Sequence, residues 1–373
     1  MTERRSDRKI LFLFFGMIAV FLGFYYSEIC SVGIKKGIEL SVNRLIPSLF
    51  PFMVISEIIV DTGACEVLSS SVCRPLAKIF KISNEGALSF LLGMLFGFPI
   101  GISSAIGLYR DGKIDRCELL RLSLFISAPS PAFFISAVGE GLFGSLTFGV
   151  MLYIISLINA FLIGIASRHF FKKEKGHYFC LRSTAKREKR ENHEKNAFIR
   201  AVTSSARALF SISAFVVFFS MIGELIDGIF ASFGLGKALS ALLYGAFEMT
   251  GGVAKAATLG FDGAPIAAAI LGFSGISIAC QLAYIGSDIK LGGYIIAKLF
   301  CAASSFLMCF AALRFFFEEN ELSGKSVESF VLYRENVLTQ AVFALFLCAL
   351  FISLRGEKSK ILKKYLQNFK KSV

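Results

Sequence analysis

Long runs of apolar residues constrain this chain more than any other feature: 10–26, 45–60, 142–166, 209–226, 293–317 and 337–354. As helices, at 1.5 Å per residue, runs of this kind match the ~30 Å hydrocarbon core of a bilayer. None shows the polar stripe at 3.6-residue spacing that a helix on the surface of a soluble domain presents to water. Hydrophobic residues make up 55% of the chain and charged residues 18%, with a mean hydropathy of +0.67. Soluble domains carry roughly a quarter charged residues. The expected fold is an all-α polytopic membrane protein.

The formal net charge is +13, from 40 Lys and Arg against 27 Asp and Glu. These cations lie between apolar runs rather than on one globular face, which argues against a nucleic-acid partner and for the positive-inside rule. Nine cysteines are scattered without a CxxC, and His169, His177 and His193 all fall in one basic stretch. No zinc site, disulfide framework or intramembrane histidine relay follows from that spacing. Arg4, Arg5, Arg8 and Lys9 precede the first apolar run, and Tyr25-Tyr26-Ser27-Glu28 follows it, so it reads as an uncleaved first crossing.

Charge then sets the topology. With the N-terminus cytoplasmic, the segment around Arg74, Lys78 and Lys81, the turn around 110–121, the twelve cations of 168–207 and the basic tail all fall inside. That holds only if the Gly-rich segments 88–108 and 239–259 dip into the membrane and return to the same side. The expectation is therefore about eight transmembrane helices plus two re-entrant helical hairpins. The tail 358–371 places Ile361, Leu362, Tyr365, Leu366 and Phe369 on one helical face between lysines, suiting an anionic leaflet; a solvated basic tail is the alternative.

The two Gly-rich segments are related. Residues 91–112 align without gaps on 242–263 with eight identities, including Leu91/Leu242, Phe96/Phe247, Gly101/Gly252 and Asp111/Asp262. Arg44, Ser48, Phe52 and Val54 precede the first as Arg207, Ser211, Phe215 and Val217 precede the second. Leu124, Ser127, Ser130 and Ala132 follow as do Leu271, Ser274, Ser277 and Ala279. On the charge-derived topology the copies enter from opposite sides, an inverted-topology repeat of the kind used in alternating-access transporters.

The domain reading is an N-terminal helix (1–40), a first repeat with its following helix (41–167; hairpin about 88–108, broken helix about 122–138) and a basic cytoplasmic loop (168–200). A second repeat follows (201–317; hairpin about 239–259, broken helix about 264–285), then an acidic external loop (318–335) and a last helix with the tail (336–373).

Candidate site residues follow from the breaks. Gly97, Pro99 and Gly101 at one expected tip, and Thr250, Gly251 and Gly252 at the other, let the chain reverse and leave backbone groups free at membrane depth. Lipid satisfies none of these groups, so they must line protein or a wet cavity. Ser127, Ser130, Ser274 and Ser277 add hydroxyls where the next crossings are interrupted, the first by Pro129 and Pro131. The resulting pocket is donor-rich and suits an anion or a polar ring. Kinks that only serve close packing are the alternative. Glu248, Glu57 and Glu224 are candidates for ion coupling, and Lys255 for attracting a carboxylate. Against this, Glu248 and Lys255 could pair with each other or snorkel to the interface. No phosphate-binding loop, nucleophile elbow or metalloprotease motif occurs, so no enzyme, catalytic residue, metal or cofactor is expected beyond a coupling cation or proton.

The motifs Pro47-Ser-Leu-Phe-Pro-Phe52 with Ser56-Glu57, Gly97-Phe-Pro-Ile-Gly101, Glu118-Leu-Leu-Arg-Leu122 and Ser127-Ala-Pro-Ser-Pro131 resemble those of the YlbJ family of sporulation integral membrane proteins. The resemblance covers about 40–315. That family groups with nucleoside-recognition gate domains and, more distantly, with concentrative nucleoside transporters. It implies a role in endospore formation, moving dipicolinate from the mother cell across the outer forespore membrane. The alternatives are a nucleoside-type carrier and a non-transporting sporulation scaffold. The implied partners are a small organic anion and the bilayer, with a second copy or other sporulation membrane proteins as further candidates. Both termini are expected in the cytoplasm.

Overall fold

The computed structural model describes residues 24–61, 73–170, 197–231, 233–234, 236–286, 289, 291–317 and 322. Most of the expected first crossing, the last crossing, most of the basic loop, the acidic stretch apart from Leu322, and the tail lie outside them. Every regular element among the described residues is helical.

The first half opens with α1 (Ser27–Leu40), which widens through a π turn (Ser41–Leu45) into α2 (Ile46–Asp61). Pro47 cannot supply the N–H that would bond the carbonyl of Asn43, and the π turn sits where the regular ladder loses that donor. Residues 27–45, between the first two apolar runs, are thus helical throughout. The charges of α1 share one face while Cys30, Gly33, Gly37 and Leu40 bury the other. That face lies antiparallel along α9 (Ala197–Ala231): Ile29 meets Gly228, Gly33 meets Met221 and Gly37 meets Val217. Two glycines four apart allow this backbone approach.

Next come α3 (Cys73–Phe80) and α4 (Asn84–Phe96), bent by 103°. The Ser83 hydroxyl accepts from the Gly86 amide at 2.9 Å and starts α4. Arg121, buried, donates to the terminal carbonyls of α3, reaching Lys81 O at 3.0 Å and Phe80 O. Helix ends leave such carbonyls without partners, which accounts for a buried guanidinium. Phe80 anchors this half against Phe90, Phe125 and Phe161, with ring centroids 5.0–5.2 Å away. Helices α5 (Phe98–Arg110), α6 (Arg116–Phe125), the π-helical α7 (Phe133–Leu142) and α8 (Leu146–Phe170) complete the half.

The second half repeats the order with α9, α10 (Lys237–Phe247), α11 (Met249–Ala257), α12 (Ala264–Phe273), α13 (Gly275–Ile285) and α14 (Leu291–Phe316). The helices that close the two halves are tied together: Asn159 on α8 donates to Ser305 at 2.8 Å and accepts from Ser304 at 2.6 Å on α14.

Among the described residues, four stretches are long and apolar enough to cross a membrane: Leu146–His169, Phe198–Phe230, Gly260–Ile285 and Leu291–Phe316. A fifth counts if the bent α3–α4 pair is one span. The outward faces of α8, α9 and α14 expose Ile158, Leu162, Phe210, Phe218, Ile296 and Leu307, as lipid contact requires. The expected broken helix at about 122–138 is interrupted at 126–130, and the apolar run at 45–60 is the 16-residue α2, joined to α1 through the π turn before it.

Candidate functional site

Each half contains a helix pair that folds back on itself, and small residues make the fold possible. In α4–α5, a Cβ on Gly101 would lie 2.5 Å from the Gly93 Cα, so only glycine fits the crossing. In α10–α11, Gly252 approaches the backbone of Gly245 in the same way. Gly101 and Gly252 are equivalent positions of the repeat, and they do the same packing work.

The reversals differ. Gly97 turns the first pair at φ 92°, ψ −179°, a conformation that is nearly glycine-only. Its tip touches the Ser130 amide. The second reversal falls at Glu248 (φ −132°, ψ 115°), ahead of the tip expected at Thr250–Gly252; Gly251 and Gly252 are already inside α11. No glycine is needed because the Glu248 carboxylate caps the helix it precedes, accepting from the amides of Thr250 at 3.0 Å and Gly251 at 2.6 Å. Glu248 is 3% exposed.

The breaks lie beside the tips. Between α6 and α7 the chain is non-helical over 126–130; Pro129 lies in this break and Pro131 at its end, and the two remove two donors. The Ser127 hydroxyl donates to Ser123 O at 2.9 Å, and Ser130 starts α7 by accepting from the Phe133 amide at 3.3 Å. Between α12 and α13, Ser274 is left-handed at φ 70° and Gly275 at φ 80°. A left-handed serine costs roughly 1–2 kcal/mol, so the surroundings must hold it. Gln281 donates to Ser277 at 3.1 Å.

Both tips and both breaks meet at one cavity of about 100 Å³. Gly97, Pro99, Ser130, Glu248, Thr250, Ser274 and Ser277 line it, with Gln281 as its amide and Leu40, Ile212 and Val216 among its apolar wall. A single water needs roughly 10–15 Å³ by this measure, so the space takes several waters or a small organic molecule. The first turns of α5 and α11 open at this cavity.

The other expected residues stand apart from it. Gly101, Gly251 and Gly252 serve helix crossings or approach Tyr244. Lys255 forms an ion pair with Asp227 at 2.5 Å and lies over the Tyr244 ring at 5.1 Å, so it faces neither Glu248 nor the cavity. Glu224 pairs with Lys36 at 2.9 Å, and Glu57 accepts from Ser204 at 2.8 Å. Among the described residues no cluster of His, Cys, Asp or Glu could hold a metal ion.

One residue that the sequence marks only as a charge within a crossing proves central. Lys298, on α14 and 5% exposed, reaches both breaks: its ammonium donates to Ser127 O at 2.5 Å and to the Ser274 hydroxyl at 3.1 Å. Ser127 O is free because Pro131, four residues on, has no N–H to offer it. The signal is a cation well inside an apolar run, which is costly unless it has partners.

No family model and no solved structure matches this chain. A curated protein does: the sporulation integral membrane protein YlbJ of Bacillus subtilis (strain 168), 27% identical over 208 residues. The chain is similar to a sporulation membrane protein. The match covers 52% of this chain and 50% of the relative, so the chain spans about half the length of YlbJ. It supports the family resemblance carried by the motifs at 47–57, 97–101 and 118–131. Together with the long apolar helices it makes this a multi-pass membrane protein.

Proposed function

We propose that this chain is a secondary transporter of a small organic anion acting in endospore formation, with dipicolinate as substrate and the outer forespore membrane as its site. The observation that carries the reading is the single cavity lined by two hairpin tips and two helix breaks. In this reading the α4–α5 and α10–α11 pairs are re-entrant, the two halves have opposite orientation, and alternating access works by rocking one against the other.

The chemistry fits a planar dicarboxylate. Ser130, Thr250, Ser274 and Ser277 offer hydroxyls, Gln281 an amide, and Lys298 a cation one bond behind Ser274. Glu248 would repel an anion if its charge were bare. Its two amide donors spread that charge, and a proton taken up on it would couple transport to a proton gradient. The similarity to a sporulation membrane protein supplies the cellular setting.

Uptake into proteoliposomes tests the reading. Radiolabelled dipicolinate is expected to enter faster than into empty vesicles and to be displaced by other aromatic dicarboxylates. Equal rates with and without protein, under any ion gradient, remove the reading. Competition by uridine or adenosine without competition by dicarboxylates replaces it with a nucleoside carrier.

A further inference from the structure

The ammonium of Lys298 sits where a transporter built from broken helices would bind an alkali cation. Its two oxygen partners come from different halves of the molecule: a backbone carbonyl released by Pro131 in the first break, and a hydroxyl on a left-handed residue in the second. Carbonyls and hydroxyls at unwound helix segments are the ligands that hard monovalent cations take in such folds. The remaining surroundings are equally suited to a cation. The Tyr294 ring lies 5.6 Å from the ammonium, and among the described residues no carboxylate pairs with it. Asn159 and Ser305 share with Lys298 a second, smaller cavity of about 30 Å³ that neither tip lines.

We propose that Lys298 is a built-in cation: a tethered ammonium that fills an alkali-ion site between the two breaks, so that the protein needs neither sodium nor potassium to hold its cavity together. An isolated ammonium at this depth would be expensive, and nothing in the packing of α14 requires one, since the same helix uses Ser304 and Ser305 for its polar contact with α8. The lysine stem also delivers its charge from a third element, so α14 is locked to both breaks at once. The proposal rests on the transport reading for its meaning, but the site itself is tested without transport.

The melting temperature of the purified full chain in detergent, measured in sodium, potassium and choline chloride at equal ionic strength, decides it. The unaltered protein is expected to melt at the same temperature in all three. Lys298→Ala is expected to melt lower in choline and to recover by at least about 3 °C in sodium, potassium or ethylammonium, because a ligand that binds only the folded state stabilises it. Stabilisation of the unaltered protein by sodium over choline overturns the proposal. So does a Lys298→Ala protein indifferent to all three cations. Should Lys298→Ala fail to fold, Lys298→Ser is measured in its place, and uptake by the unaltered protein gives the second arm. Equal dipicolinate uptake in sodium and choline supports the tethered cation, and a strict sodium requirement overturns it. Vesicles that carry no dipicolinate in any salt defeat the transport reading while the melting data still decide the role of Lys298.

Discussion

Gly97 and Ser130 approach so closely that a Cβ on Gly97 would lie 2.9 Å from the Ser130 amide nitrogen. Gly97 also holds φ 92° with ψ near 180°, where an L side chain is strained by about 1–3 kcal/mol. Gly97→Ala therefore meets two penalties at the rim of the cavity. It is expected to lower the melting temperature and to abolish dipicolinate uptake, since relieving the clash parts the first tip from its break. Circular dichroism melts and vesicle uptake check this; a fully active Gly97→Ala protein would show that the tip–break contact is dispensable.

The two amide bonds of Glu248 separate its structural role from its chemical one. Glu248→Ala removes both acceptors from the start of α11 and is expected to cost about 1–2 kcal/mol. Glu248→Gln keeps one acceptor and loses the charge. It is expected to reach near-normal membrane abundance while uptake falls at least about tenfold, the factor that 1.4 kcal/mol makes. Ser130→Ala should likewise impair uptake at near-normal abundance. Immunoblots and initial uptake rates, read side by side, check both.

The parts of this fold that read clearly from the sequence are those where backbone chemistry leaves a residue signature. Gly97-Phe98-Pro99 marks a reversal, and Pro129 and Pro131 mark a break, because no other residues serve there as well. The second reversal lies two residues ahead of the expected tip because Glu248 makes it through a side-chain cap, and a lone glutamate resembles a coupling residue as much as a helix start. The α1 helix leaves a weaker signature for another reason. Its inward face is Cys30, Gly33, Gly37 and Leu40, and the two glycines contribute almost no hydropathy, while Glu28, Lys35, Lys36 and Glu39 dilute the apolar pattern. Lys298 and Lys255 show the limit of spacing arguments. One cation joins segments 171 and 24 residues away, and the other turns to Asp227 instead of the nearby Glu248.

The contact between α1 and α9 depends on residues without side chains. A Cβ on Gly33 would lie 2.6 Å from the Met221 Cα, and one on Gly37 2.6 Å from the Val217 Cα, both on backbone that cannot move aside cheaply. Gly33→Ile and Gly37→Ile are expected to pry α1 off α9 and to reduce membrane abundance severalfold. Gly107→Ala is the matched control. Nothing lies within 4 Å of its added methyl group, and alanine is worth roughly 0.5–1 kcal/mol over glycine within a helix. That variant should melt slightly higher than the unaltered protein. Fluorescence-detected size-exclusion profiles and melts of all three test the contrast.

Asp227 accepts from Lys255 and from Ser240, which joins the end of α9 to both helices of the second pair, away from the cavity. Lys255 should therefore matter to stability and not to substrate affinity. Lys255→Met and Asp227→Asn are each expected to lower stability by about 1 kcal/mol, and the double variant by no more than either alone, because each single change already breaks the pair. On the proposed function, all three proteins should keep the KM of the unaltered protein for dipicolinate. A double-mutant cycle of melting temperatures, with uptake measured across substrate concentration, distinguishes the two roles. A severalfold rise in KM for Lys255→Met with no loss of stability would instead bring the Lys255 ammonium into contact with the substrate carboxylate, which requires the second hairpin to rotate away from Asp227 during the transport cycle.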